Sequence, residues 1–161
     1  MPDSRSNADE LIRRFDLKPH PEGGFFAETY RSAARVLRAG ELGKADDTRA
    51  ASTAIYYLLC DGAHSAWHRI KSDEVWHFYA GEPLLVHVLD ENDANGVLVT
   101  HRLGNPLTHP DTVYQAVVPA GLWFAAECAD PGSFALVGCT VAPGFEFSGF
   151  EMAARDWTPR A

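Results

Sequence analysis

His68, Glu74 and the aromatics around them are the residues of this chain best placed by type and spacing to do chemistry. On a β-strand, residues two apart share a face and lie about 7 Å apart along the chain, so paired imidazoles there can converge on one metal ion. His68 has Ile70 at that distance, and isoleucine offers no lone pair. What remains is an imidazole and a carboxylate facing a pocket that also takes in Trp76 and Phe78, which share the parity of Glu74. An apolar wall raises a carboxyl pKa and lowers an imidazole pKa, whereas direct pairing favours both charged forms. A His-Glu pair held this way suits general acid/base work on a carbon next to a carbonyl. The plainer alternative is a buried hydrogen-bonded pair with no chemistry.

The other histidines do not complete a metal site. His64 shares the parity of His68, but four residues of regular strand separate the two by about 13 Å, far beyond metal-ligand bond lengths. His77 has the opposite parity from Glu74 and belongs on the other face of its strand, and His20, His87, His101 and His109 have no position that spacing alone can fix. Among the phenols, Tyr30, Tyr57 and Tyr114 are candidates to donate a proton, with Tyr57 preferred. Trp67, Trp76, Phe78, Tyr79, Trp123 and Phe124 could stack on a sugar or base, although strand aromatics more often fill a core. Arg31 and Arg69 are either anion holders or surface residues.

The elements that must carry these groups are short. Asn7 and Glu10 form a capping box for a helix over about 8–17 whose apolar face holds Leu11, Ile12 and Phe15. His20-Pro-Glu-Gly-Gly24 forces a turn, a strand runs from Phe25 to Arg31, and the segment from Ser32 to Ala51 reads as a long loop. Eight apolar runs follow: Thr53–Leu59, Ser65–Ile70, Glu74–Tyr79, Leu84–Leu89, Val97–Leu103, Val113–Val118, Leu122–Glu127 and Ser133–Val141, with Gly, Pro and Asn turns between them. Many short strands in succession predict an all-β jelly-roll barrel or sandwich.

With 161 residues, the chain suits one domain. Its 14 basic and 22 acidic residues give a net charge of -8, which leaves nucleic-acid binding without its electrostatic source. No apolar run serves as a signal peptide or approaches bilayer-spanning length, so a cytoplasmic protein with no membrane partner is expected. Cys60, Cys128 and Cys139 lack metal or disulfide spacing and read as buried free thiols.

Several blocks occur in the order of one family: His20-Pro-Glu-Gly-Gly24, Glu28-Thr-Tyr-Arg-Ser32, Ser52-Thr-Ala-Ile-Tyr-Tyr57, Trp67-His-Arg-Ile70, Ser72-Asp-Glu-Val-Trp-His77, Val118-Pro-Ala-Gly-Leu-Trp123 and Val141-Ala-Pro-Gly-Phe-Glu-Phe147. Over about residues 8 to 153 the chain resembles the small-cupin family long catalogued as a domain of unknown function. The resemblance implies an all-β cupin jelly-roll with a short N-terminal helix, commonly a homodimer. The stretch Gly62 to Gly81 nearly matches the first cupin motif, G-x5-H-x-H-x3-E-x6-G, with Ile70 at the second histidine. The second motif, P-x-G-x2-H, is matched by Pro119 to Phe124 with phenylalanine at its ligand position.

The resemblance extends to metal-free sugar epimerases of the cupin type, which use a histidine base, a carboxylate partner and a tyrosine acid. By that analogy His68 is the base, Glu74 its orienter and Tyr57 the acid, with Ile70, Trp76, Phe78, Trp123 and Phe124 lining the substrate. The expected function is therefore a metal-independent isomerase or epimerase acting on a carbonyl-bearing sugar derivative held in the barrel, with no cofactor. The alternatives are a non-catalytic metabolite-binding module, and a dioxygenase-like enzyme with a divalent metal on His68, Glu74 and a third ligand.

Overall fold

The computed structural model describes residues 4–37, 48–90 and 96–154. A helix, α1 (Ser4–Arg14), starts earlier than the capping box predicts, so Asn7 lies within it. Its C-terminus is closed by Asp16 at φ 50°, with the Leu17 N–H donating to Ile12 O at 2.9 Å, the Schellman arrangement that satisfies terminal carbonyls. Leu17 is thereby buried with Ala8 against Leu58 and Leu136, and the helix lies on the outside of the barrel.

The strands follow as β1 (Lys18–Pro19), β2 (Phe25–Arg31), β3 (Arg35–Leu37), β4 (Thr48–Ala50), β5 (Thr53–Leu59), β6 (His64–Arg69), β7 (Asp73–Gly81), β8 (Leu84–Asp90), β9 (Val97–Leu103), β10 (Gln115–Val118), β11 (Trp123–Cys128), β12 (Ala135–Ala142) and β13 (Glu151–Met152). They pair antiparallel into a six-stranded sheet, β1-β2-β5-β12-β7-β10, and a five-stranded sheet, β13-β6-β11-β8-β9. Two sheets with crossed strand order, facing each other over one core, make the all-β jelly roll. The predicted strands all occur, with ends shifted by a residue or two. The loop predicted over 32–51 departs further: its two ends pair as a β3-β4 ribbon, Arg35 opposite Ala50, and its middle lies outside the described residues.

The core between the sheets is apolar at one end, where Leu59, Leu84, Val86, Leu103 and Ala126 are buried. Toward the other end polar groups enter it: Glu22, Ser65, His68 and Glu74 are all buried. Burying them requires hydrogen bonds and paired charges, and that requirement defines the site. All three cysteines are free and buried. Among the described residues, no helix is long and apolar enough to cross a membrane.

Candidate functional site

The Pro-Glu-Gly-Gly turn does more than reverse the chain. Gly23 takes φ 113°, and a Cβ there would sit 2.1 Å from the His64 carbonyl oxygen, so only glycine lets the turn press against β6. The Ala66 N–H donates to Glu22 O at 2.8 Å and fastens the two segments together. This contact sends the Glu22 side chain inward, where Oε2 lies 2.7 Å from His68 Nε2. The other ring nitrogen, His68 Nδ1, is 2.7 Å from the Ala66 carbonyl oxygen. Both nitrogens thus face acceptors, an arrangement fully satisfied by the imidazolium.

The electrostatics agree. Burial alone would lower the His68 pKa, but the Glu22 carboxylate outweighs it and holds the pKa above the usual imidazole range. Burial would raise Glu22, and the His68 cation reverses this and holds it low. His20 behaves differently. Its Nδ1 accepts the Glu22 N–H at 3.1 Å, which places its proton on Nε2, and burial keeps its pKa low. His20 is a neutral imidazole beside a charged one.

Glu74 comes from the start of β7 and is buried against an apolar surface. Burial pushes its pKa up to about 7, even though the His68 charge pulls it down. The Cys139 thiol beside it is pushed well up by burial and by the Glu74 charge. Glu74, His68, Glu22, His20, Ile70 and Cys139 together line a cavity of about 220 Å³. Its rim is Glu28, Arg31 and Glu146, and Phe145 and Phe147 from the segment after β12 close one side.

Of the residues expected to form the site, His68, Glu74 and Ile70 meet at this cavity, and the others do not reach it. His68 is held by Glu22, with no lone pair left for a base in this state, and the orienting carboxylate is Glu22 instead of Glu74. Tyr57 is fully buried behind the site, where its hydroxyl donates to the Gly23 carbonyl, so it has no face on the cavity. Trp76 lies buried beneath the site and Phe78 packs into the core. Phe124 is fully buried and packs against the His68 ring at a tilt of 50°, with ring centroids 4.0 Å apart. Trp123 is on the outer side of its sheet, carrying the Arg69 guanidinium 4.5 Å above its ring. Alternation on a strand gives each side chain a face, but not its depth in the barrel, and so these aromatics were indistinguishable from pocket residues. Glu22 escaped sequence reasoning because the turn residues around it explain themselves, His20 had no position that spacing could fix, and Glu28 is one of several polar residues on β2 with nothing local to mark it.

A metal of the kind that cupins use does not fit this donor set. Ile70 and Phe124 stand at two ligand positions, and both nitrogens of His68 are engaged. Among the described residues no group of three or more His, Cys, Asp or Glu side chains is arranged to hold an ion.

The model for the Cupin superfamily (DUF985) matches residues 9–153. A solved structure of a hypothetical protein from Leishmania major is 35% identical, covers 91% of this chain and 86% of its own, and has a TM-score of 0.79. An uncharacterized protein of Saccharomyces cerevisiae is 28% identical over 162 residues, covering 91% of this chain and 75% of its own. Oxalate oxidase, at 14% identity over 83% of this chain and 57% of its own with a TM-score of 0.56, shares the fold alone. With a family match from the N-terminal helix to the last strand, this chain belongs to the cupin superfamily, in the family described as DUF985.

Proposed function

We propose that this cupin is a metal-independent enzyme that moves a proton on a small carbonyl-bearing compound, an isomerase or epimerase of a sugar derivative. The observation that carries this reading is Glu74, a buried carboxyl in a cavity wall with a pKa of about 7. A group so tuned exchanges its proton readily at neutral pH, which is what general acid/base catalysis asks. Glu74 takes the proton from the carbon beside the carbonyl and returns it to the neighbouring carbon, or to the same carbon.

Negative charge develops on the carbonyl oxygen in that step. His20 supports it: its Nε2–H has no partner among the described residues, and the ring is one of the cavity's walls. A neutral imidazole donates to an oxyanion without first surrendering a proton, and the pattern of a carboxylate base with a neutral histidine electrophile is a known solution. The His68-Glu22 pair, fully hydrogen-bonded, positions His20 through Glu22 and keeps a fixed positive charge beside Glu74.

Exchange of carbon-bound hydrogen with deuterated water, followed by NMR over a set of aldoses and ketoses, tests the reading. The exchange rate should rise with pH through about 7, as Glu74 becomes the carboxylate, and Glu74→Gln should abolish it. Binding without exchange in the wild type would identify a metabolite-binding module instead.

A further inference from the structure

The charged groups around the cavity differ in whether they have anything left to offer a ligand. Arg31 is the one cation at the rim among the lining residues, and its guanidinium is spent. Nη1 donates to Glu146 Oε1 at 3.0 Å, while Nη2 donates to Glu28 Oε1 at 2.6 Å and to the Phe145 carbonyl at 3.0 Å. His68, the cation within, donates to Glu22 and the Ala66 carbonyl. An incoming carboxylate or phosphate needs free charged donors to replace its water, and the described lining residues offer none.

The acceptors are in the opposite condition. Glu22, Glu28 and Glu146 already outnumber the cations Arg31 and His68 before Glu74 is counted, so the cavity repels further negative charge. Carboxylate oxygens at the rim accept hydrogen bonds from hydroxyls, and Ile55, Val141 and Phe147 give apolar surface for the C–H face of a ring. The size is restrictive as well. A volume of about 220 Å³ lies below the roughly 300–1,000 Å³ of pockets for drug-sized ligands, so a nucleotide-linked sugar cannot be enclosed.

We infer that the cavity takes an uncharged, hydroxyl-bearing carbonyl compound of at most one sugar ring, and excludes aldonates, phosphate esters and nucleotide sugars. This rests on the proton-transfer reading for its carbonyl group and adds the charge and size of the substrate.

The test is a binding series with the whole protein, read by ligand-observed NMR. It uses uncharged aldoses and ketoses of three to six carbons, each beside its aldonate, its phosphate ester and, where one exists, its amino sugar. At least one uncharged member should bind at least about tenfold tighter than every charged counterpart. A tighter aldonate, phosphate or amino sugar overturns the inference, as does a series in which no uncharged member binds. A second arm frees Arg31 with the Glu28→Gln/Glu146→Gln double variant, whose fold is verified by circular dichroism. Affinity for the aldonate should rise by about tenfold, and an unchanged affinity overturns the argument from Arg31. Uncharged binding without deuterium exchange would sink the catalytic reading and leave the selectivity intact. Exchange on an anionic substrate would do the reverse.

Discussion

Two histidine-glutamate pairs in this molecule have nearly the same contact and very different consequences. His68 and Glu22 are 2.7 Å apart with side chains 3% and 7% exposed, whereas His87 and Glu127 are 3.0 Å apart at 21% and 54%. The outer pair borders a broad hollow of about 680 Å³ on the five-stranded sheet, and His87 is also hydrogen-bonded to Thr100. Water screens its attraction, and such pairs contribute about 0–1 kcal/mol. The inner pair is largely shielded from bulk solvent, so its partners hold each other charged and contribute to the field in which Glu74 titrates. Burial, more than contact, turns a His-Glu pair into part of a site.

The contrast can be broken by removing one carboxylate from each pair. Glu22→Gln leaves the His68 N–H facing a neutral group in a low-dielectric site and should cost about 3 kcal/mol or more in denaturant unfolding. A loss below about 1 kcal/mol would mean that the inner pair is no different from the outer one. The pair's own contribution should be a plateau in pH, lost on the acid side as Glu22 protonates and on the alkaline side as His68 deprotonates.

Glu74→Gln sharpens the comparison from the other direction. The folded state holds the Glu74 proton up to about pH 7, while a glutamate carboxyl in water loses it near 4.5. Folding therefore loses stability as pH rises from about 4.5 to about 7, by an amount on the order of 3 kcal/mol. The glutamine variant should lack this loss, matching wild type at low pH and exceeding it at pH 8 in thermal unfolding. A wild-type curve already flat across that window would refute the burial argument.

His20→Phe keeps a ring against Phe26 but removes both the Nε2–H and the Nδ1 acceptor of the Glu22 N–H, so the deuterium-exchange rate should fall by about a hundredfold while unfolding loses only the roughly 1 kcal/mol of one hydrogen bond. Equal losses of activity and stability would make His20 a packing residue. Smallest of all, Glu127→Gln should change unfolding free energy by less than about 0.5 kcal/mol, and raised salt should shrink even that.

Much of the barrel was legible along the chain, because strand alternation and turn residues are local signals. Glu74, Trp76 and Phe78 do share an inward face, and His77 does lie on the other one, bonded to Thr140. The helix start was missed, since Asn7 and Glu10 imitate a cap inside a helix that begins three residues earlier than Asn7. Of the site, His68, Ile70 and Glu74 were visible through their spacing. The partner of His68 was not, since Glu22 is 46 residues away in a segment whose glycines and proline already account for a turn.

The sequence by itself determined the fold class and the alternation of faces along most strands, which follow from side-chain type and a period of two. Its resemblance to the cupin motifs placed Ile70 and Phe124 where that pattern carries histidines. Tertiary structure alone decided which groups are charged. Only when the Gly23 turn lies against β6 does Glu22 reach His68, leaving Glu74 as the buried carboxyl without a countercharge of its own. A pKa depends on distance and dielectric, and neither exists until the chain has closed around the group.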